Sequence, residues 1–222
     1  MKKIFLGIIF FLLGATAALG VNFAKNHSVP EPIITIGKKA SSFEPTKFSL
    51  EQAPSDSIKG QITSMGGDIW WQSRTATEPA QLTETIPIQQ GETLIASDEG
   101  KLTVSFNPAA TITLFPETQV EIIQTLPLNL VFNQTKGIGQ YQVSGASPVT
   151  IRGFNLIVNI DEGLLNIDTD EETGVITLSL KTGAAKVGYN SPEFDSKVWS
   201  LEPGDVFKYD SNERRGYFNA PI

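Results

Sequence analysis

The sequence contains no cysteine and a single histidine among its 222 residues. Without cysteine the chain has no disulfide, no thiolate zinc site, no thiol nucleophile and no cysteine to carry a lipid anchor. The histidine, His27, lies outside the region that the pattern below assigns to a folded domain, which excludes a Ser-His-Asp triad or a histidine metal site inside that domain. We therefore predict a fold held by its apolar core, no enzymatic activity and no cofactor.

Positive charge is scarce as well. Residues 58–222 contain eleven Lys and Arg against twenty Asp and Glu, so this region carries −9 while the whole chain carries −7. An acidic surface repels nucleic-acid phosphates and anionic lipid headgroups, and no basic stretch offsets it. We expect no nucleic-acid partner.

The longest apolar run is at the start of the chain. Lys2 and Lys3 precede an uncharged stretch from Ile4 to Val21, long enough for a helix of about 27 Å, close to the roughly 30 Å of a bilayer core. Because lysines favour the cytoplasmic side, residues 1–21 are predicted to anchor the chain in the cell membrane, with a cytoplasmic N-terminus and everything after them extracytoplasmic. The alternative is a cleaved signal peptide with a site at Ala15-Thr16-Ala17, which also exports the remainder.

Residues 22–57 lack any periodic pattern and contain four prolines: Pro30, Pro32, Pro45 and Pro54. This composition predicts an extended stalk between the membrane and a folded domain. An arm packed onto that domain is the alternative.

Residues 58–210 alternate between apolar and polar side chains, as Leu102, Val104 and Phe106 do around Thr103 and Ser105. The same alternation recurs at Ile112/Leu114, Val120/Ile122, Leu128/Leu130/Phe132, Val149/Ile151, Leu156/Val158/Ile160, Ile176/Leu178/Leu180 and Val187/Tyr189. Turn residues separate these segments at short intervals, which is typical of an all-β sandwich, barrel or short solenoid. We predict an all-β domain of about a dozen strands, followed by a tail over residues 211–222.

Several stretches of this region share the turn-and-strand pattern of one known family. They are Gln90–Ile95, Gly100–Phe106, Ala110–Val120, Pro148–Val158, Val175–Leu180, Gly183–Val187 and Leu201–Asp205. In these stretches the chain resembles the FecR domain, an extracytoplasmic module of signalling regulators. The resemblance implies a β-sandwich or short β-helical domain that acts as a sensor or protein-interaction module.

Two departures from the family pattern affect what the resemblance implies. The family's Gly-Thr pair is Gly153-Phe154 here. The signalling members carry a cytoplasmic segment before the membrane helix that binds a sigma factor, and three residues precede the apolar run here. We therefore expect no sigma-factor binding by that route.

The candidate binding residues are Trp70 and Trp71. Neighbouring residues of a strand face opposite sides of the sheet, so one indole is expected in the core and the other outside. An outward indole offers a surface to another envelope or surface protein, the partner that we predict, or to a glycan such as peptidoglycan in the alternative interpretation. Packing of both rings in the domain is the simpler explanation.

Two sets of carboxylates are weaker candidates. Asp168, Asp170 and Glu172 alternate like the start of a calcium loop, although an EF-hand needs Gly and Glu where this chain has Thr173 and Ser179. A solvated hairpin turn accounts for the same residues. Asp161, Glu162 and Asp195 could form a glycosidase pair only across a cleft, and each stands in a turn signal.

Overall fold

The computed structural model describes residues 53–218. The predicted anchor over residues 1–21, most of the predicted stalk and the last four residues lie outside this range. The described part is all-β, which confirms the predicted fold class, and it consists of fourteen strands rather than about a dozen. Within residues 53–218 no helix has the length and apolar character needed to cross a membrane.

The strands run in the following order. They are β1 Gly60–Gly66, β2 Ile69–Gln72, β3 Ala80–Gln81, β4 Pro87–Ile88, β5 Thr93–Ala96, β6 Lys101–Phe106, β7 Ala110–Leu114, β8 Gln119–Leu126, β9 Asn129–Gly153, β10 Leu156–Asp170, β11 Val175–Asn190, β12 Ser196–Leu201, β13 Val206–Asp210 and β14 Arg215–Phe218. The last strand lies within residues 211–222, for which the sequence predicts a tail, and extends the sheet beyond residue 210.

The strands form one antiparallel hydrogen-bonded sheet with branches. Its main path is β14-β13-β11-β10-β9-β7-β6-β1-β4. Off this path, β12 pairs with β11, while β2 pairs with β3 and β5, and β5 and β8 lead back to β9. Antiparallel neighbours need only short turns, which agrees with the frequent turn signals of the sequence.

The apolar residues of the alternating segments form the core. On β6, for example, Leu102, Val104 and Phe106 are fully buried while the residues between them are partly exposed. The predicted alternation is wrong at Leu128, which is 83% exposed because it lies in the turn between β8 and β9 rather than on a strand. Its neighbours in the pattern, Leu130 and Phe132, are buried.

The long strands β9, β10 and β11 bend sharply near their middle, at glycines with positive φ. Gly163 pairs with Gly183, with φ of 136° and 83°. A Cβ at Gly183 would lie 2.0 Å from the carbonyl oxygen of Glu162, and one at Gly163 would lie 2.1 Å from that of Thr182. Only glycine fits so close an approach of two backbones.

The bend folds the second half of each strand over the first. Tyr209 on β13 pairs with Ile176 at the start of β11, yet its ring centroid lies 5.0 Å from that of Tyr189 near the end of β11. Thirteen residues of a straight strand would separate these positions by about 43 Å. The hairpin tip at Gly153 likewise approaches Ile176, with 2.9 Å between a Cβ built there and the Ile176 Cδ1 atom. The C-terminal half is therefore two layers made from the same strands.

Candidate functional site

The two candidate tryptophans lie on β2 with different surroundings. Trp70 is 39% exposed, whereas Trp71 is partly buried and packs against the core. Trp70 pairs with Gln81 of β3 on one side and with Ile95 of β5 on the other. The expected alternation of the two indoles is present, and their role in binding stays a prediction.

Polar side chains accompany the outward indole. Gln81 lies directly across from Trp70 and therefore shares its face, and the Gln81 Nε2 atom donates a hydrogen bond of 3.0 Å to the Asp68 carboxylate. An exposed indole offers an apolar surface, and a nearby amide and carboxylate offer donors and acceptors for hydroxyl groups. This outer face of β2 therefore has the side-chain types that a sugar ring requires.

Behind β2 lies a buried carboxyl group that the sequence did not indicate. Glu92 is 7% exposed and accepts a hydrogen bond of 2.8 Å from the backbone N–H of Gln89. Burial raises the pKa of the Glu92 carboxyl above its ordinary value, against the opposing effects of the Gln89 N–H, the Trp71 indole and the Arg74 charge. The Arg74 guanidinium also donates to the Gln90 carbonyl at 2.8 Å. Because Glu92 follows Gln-Gln-Gly, a typical exposed turn, no sequence signal distinguishes it from a surface residue.

The acidic hairpin turn between β10 and β11 is held by its own backbone. The Asp170 carboxylate accepts hydrogen bonds from the N–H groups of Glu172 and Thr173, at 3.0 and 3.1 Å. Hydrogen bonds from the Thr173 side chain and backbone lower the pKa of Asp170, while burial and the charge of Asp170 raise that of Asp168. Among residues 53–218 no three carboxylate or imidazole side chains are placed to hold a metal ion. The contacts are those of the hairpin turn that was the alternative to a metal site.

The three carboxylates considered as a glycosidase pair are all exposed. Asp161 and Glu162 lie at the bend of β10, and Asp195 lies in the turn before β12, where its carboxylate is 3.8 Å from the Lys197 ammonium. A glycosidase pair faces the sugar from both sides of a cleft, whereas these carboxylates stand exposed on the surface of the domain.

A surface that the sequence did not identify lies at the C-terminal end of the domain. Trp199 of β12 packs on Phe207 of β13 and Phe218 of β14, with ring centroids 6.3 and 5.7 Å away. The indole N–H donates to the Tyr189 hydroxyl at 3.3 Å. We call these four rings the aromatic cluster. Its outer members remain accessible, since Trp199 is 39% and Phe218 38% exposed.

Next to the aromatic cluster, β12 forms an open edge of the sheet. Within residues 53–218 it pairs with β11 and with no other strand. The N–H of Ser191 donates to the Asp195 carbonyl at 2.8 Å, so these two residues form a hydrogen-bonded pair. Hydrogen-bonded and non-hydrogen-bonded pairs alternate along an antiparallel ladder, so every second residue of β12 after Asp195 bonds to β11. The backbone groups of Lys197 and Trp199 therefore face β11, and those of Val198 face away. The Val198 side chain is 70% exposed.

The sequence of Ser196–Leu201 predicts the strand β12 but not its open edge. Val198 and Trp199 are β-formers in a segment between two turns, so a strand can be predicted there. The sequence does not show that β12 lacks an outer neighbour among residues 53–218, because the pairing of β12 depends on the bend of β11.

Comparison with known proteins finds a similarity in structure alone. No protein-family model and no curated protein matches the sequence. Two crystal structures of a candidate anti-sigma factor from Parabacteroides distasonis ATCC 8503 are similar in structure, each at 15% sequence identity with a TM-score of 0.49. The similarity covers 57% of this chain and 58% of that protein, so the chain spans less than two thirds of its length.

Proposed function

We propose that this domain is a non-enzymatic protein-interaction module that binds its partner by adding a strand of the partner to β12. The observation that carries the proposal is the open edge at Val198, whose backbone N–H and C=O have no partner strand among residues 53–218 and whose side chain is 70% exposed. An extended peptide gains main-chain hydrogen bonds at such an edge, and alternate side chains give specificity.

The side chains of β12 leave its open edge accessible to a partner strand. Proteins usually protect an exposed edge with lysine, proline or a bulge. The one charged residue of β12 is Lys197, next to Val198 and therefore on the opposite face, and its ammonium lies 3.8 Å from Asp195. The aromatic cluster beside the edge adds apolar surface that a partner can cover.

Proline tests this mode of binding with little effect on the fold. In Val198→Pro the lost N–H faces away from β11, so the ladder stays intact while pairing with a partner strand is blocked. In Lys197→Pro the lost N–H belongs to the ladder, and the domain is expected to lose stability. A photo-cross-linking amino acid at position 200 of the full chain should capture one partner in cells.

The cross-link should disappear in Val198→Pro and persist in Gly188→Ala, a change on the paired strand β11. An unchanged cross-link in Val198→Pro would contradict strand addition. Sedimentation of the purified chain distinguishes a separate partner from a second copy, which would give a dimer that Val198→Pro dissociates.

We further propose that the module is a FecR-like sensor held on the extracytoplasmic side of the cell membrane by residues 1–21. The family pattern across the strands and the apolar run at Ile4–Val21 support this proposal. The mass of the mature protein from membranes is the test. An intact N-terminus supports the anchor, and loss of residues 1–17 would show a cleaved signal peptide instead.

The outer face of β2 favours a second function, glycan binding. Trp70, Gln81 and Asp68 together offer an exposed ring and hydrogen-bonding groups. Retention of the full chain on purified peptidoglycan should be lost in Trp70→Ala and kept in Val198→Pro. Equal retention of Trp70→Ala and the unaltered chain would exclude this face as a glycan site.

A further inference from the structure

A cleft of about 380 Å³ lies at one end of the C-terminal half, apart from the open edge. Three turns form it: the β9–β10 turn, the β11–β12 turn and the β13–β14 turn. The lining residues that matter here are Arg152, Phe154, Asn155, Asn190, Phe194 and Arg214.

The backbone of this cleft is held in unusual conformations. Phe154, Phe194 and Arg214 have φ of 47°, 64° and 50°, and the one other non-glycine residue with positive φ among residues 53–218 is Glu117. Bulky side chains rarely adopt this region, and such conformations concentrate at ligand-binding sites. Three separate turns thus adopt costly conformations around one cleft.

The charge of the cleft is opposite to that of the domain. Arg152 and Arg214 are two of the four arginines in the chain, in a region of net charge −9. No carboxylate among residues 53–218 lies within salt-bridge distance of either guanidinium. The acidic residues in the adjoining turn face other cations, since Asp195 pairs with Lys197 and the charges of Arg215 and Lys197 act on Glu193.

Apolar surface lies beside these charges. The Phe194 and Phe154 side chains are 77% and 45% exposed, and the Arg214 guanidinium stands 5.5 Å from the centre of the Phe194 ring. A guanidinium on an aromatic ring keeps its in-plane N–H donors available for a carboxylate. The cleft therefore offers charged donors and apolar contact to the same ligand, and it is open enough for side chains of another protein to enter.

We infer that this cleft binds an acidic segment of the partner protein, with a carboxylate on the Arg152 and Arg214 guanidiniums and an adjacent apolar side chain on Phe194. This inference rests on the proposed function as an interaction module. The carboxylate forms charge-assisted hydrogen bonds that neutral polar side chains do not match. The acidic remainder of the domain repels the same segment, so binding is directed to the cleft.

Fluorescence anisotropy with the full chain tests the inference. The probe is a labelled, end-capped hexapeptide that alternates glutamate with leucine, and its control alternates glutamine with leucine. We expect the glutamate peptide to bind with an affinity better than about 1 mM, and Arg152→Gln or Arg214→Gln to weaken it by about tenfold. Lys181→Gln, which removes one exposed positive charge outside the cleft, should leave the affinity unchanged.

Three results would overturn the inference: no binding of the glutamate peptide below about 1 mM, equal binding of the glutamine peptide, or unchanged affinity in both arginine variants. Val198→Pro separates the two proposals, because it should abolish the cross-link at β12 and leave peptide affinity intact. In one distinguishing result, Val198→Pro loses the cross-link while the arginine variants bind the peptide as the unaltered chain does. That result would retain the proposed function and reject the cleft as the site of an acidic segment. Dimerisation of the chain that the arginine variants abolish would also reject a separate partner.

Discussion

Trp70 on β2 and Trp199 on β12 are equally exposed, at 39% each, yet they occupy different kinds of strand. Within residues 53–218, β2 is hydrogen-bonded to strands on both sides, β3 and β5, whereas β12 is hydrogen-bonded on one side, to β11. Trp199 packs in the aromatic cluster, and Trp70 has no ring contact among residues 53–218. Exposure of an indole therefore does not distinguish a strand paired on both sides from an edge strand, while the hydrogen-bond pairing among residues 53–218 does.

The difference between the two strands originates in the bend of the long strands. The first half of β11 pairs with β13 and its second half with β12, so β12 lies at an edge of the layer that the second halves of the long strands form. β2 instead lies between strands that follow it closely in sequence. An open edge at β12 depends on the glycines that allow β11 to fold back.

The largest effect on stability is expected from a substitution at that bend. Gly183→Ala places a Cβ 2.0 Å from the Glu162 carbonyl oxygen at φ 83°, so we expect a loss of about 2–4 kcal/mol in the free energy of unfolding. Urea denaturation of the full chain measures it. Gly188→Ala is the matched control on the same strand, because its nearest contact, the Lys197 carbonyl oxygen, is 3.9 Å away. Similar stability of the two variants would mean that the bend does not depend on glycine.

A smaller difference in stability is expected between alanine substitutions of the two equally exposed tryptophans. Trp199→Ala removes the contacts with Phe207 and Phe218 and the hydrogen bond to the Tyr189 hydroxyl, for which we expect about 2–3 kcal/mol. Trp70→Ala removes a ring that has no aromatic partner in the described part of the chain, for which we expect a loss of about 1 kcal/mol. Equal losses in denaturation would contradict the distinction between the two strands.

The sequence predicts what depends on local pattern. The alternation at Leu102, Val104 and Phe106 identifies a strand and its buried face, because side chains of a strand alternate wherever it lies. The open edge of β12 and the cleft around Arg152 and Arg214 result from contacts between segments far apart in sequence. No local pattern encodes which strand lacks a neighbour, and a single arginine in a turn does not differ from any surface arginine.

Buried polar groups also result from contacts between segments far apart in sequence, so local pattern does not identify them. Gln134 is fully buried, its amide donates to the Ile167 carbonyl at 3.1 Å, and it accepts a hydrogen bond of 2.9 Å from the Tyr141 hydroxyl. In the sequence it stands in Asn-Gln-Thr-Lys-Gly, which is typical of an exposed turn. The hairpin tip at Gly153 lies close to this position, with 3.3 Å between a Cβ built there and the backbone carbonyl oxygen of Gln134.

The smallest expected effect compares two carboxyl groups, one beside each strand. Next to β2, burial raises the pKa of Glu92, so the Glu92 charge opposes folding at neutral pH. Beside β12, the pKa of Glu193 is lowered by the Glu193 backbone N–H and then by the Ser191 hydroxyl, so the Glu193 charge favours folding. The native state binds the Glu92 proton more tightly than the unfolded state, and this contribution to stability is complete below the ordinary glutamate pKa and is lost as the pH rises through the raised pKa. For Glu193 the sign is reversed.

Urea denaturation of Glu92→Gln and Glu193→Gln between pH 7 and pH 3 measures these contributions. At pH 7 we expect Glu92→Gln to be more stable than the unaltered chain and Glu193→Gln to be slightly less stable, because each glutamine removes the charge and keeps a similar shape. Both differences should shrink on acidification, the first as Glu92 protonates and the second only below the ordinary glutamate pKa. The exposed Glu78→Gln serves as the control for a general effect of net charge. If the Glu92→Gln difference stays constant across this range, the carboxyl group behind β2 is not held in a charge-opposing site, and the two regions differ in their strand pairing alone.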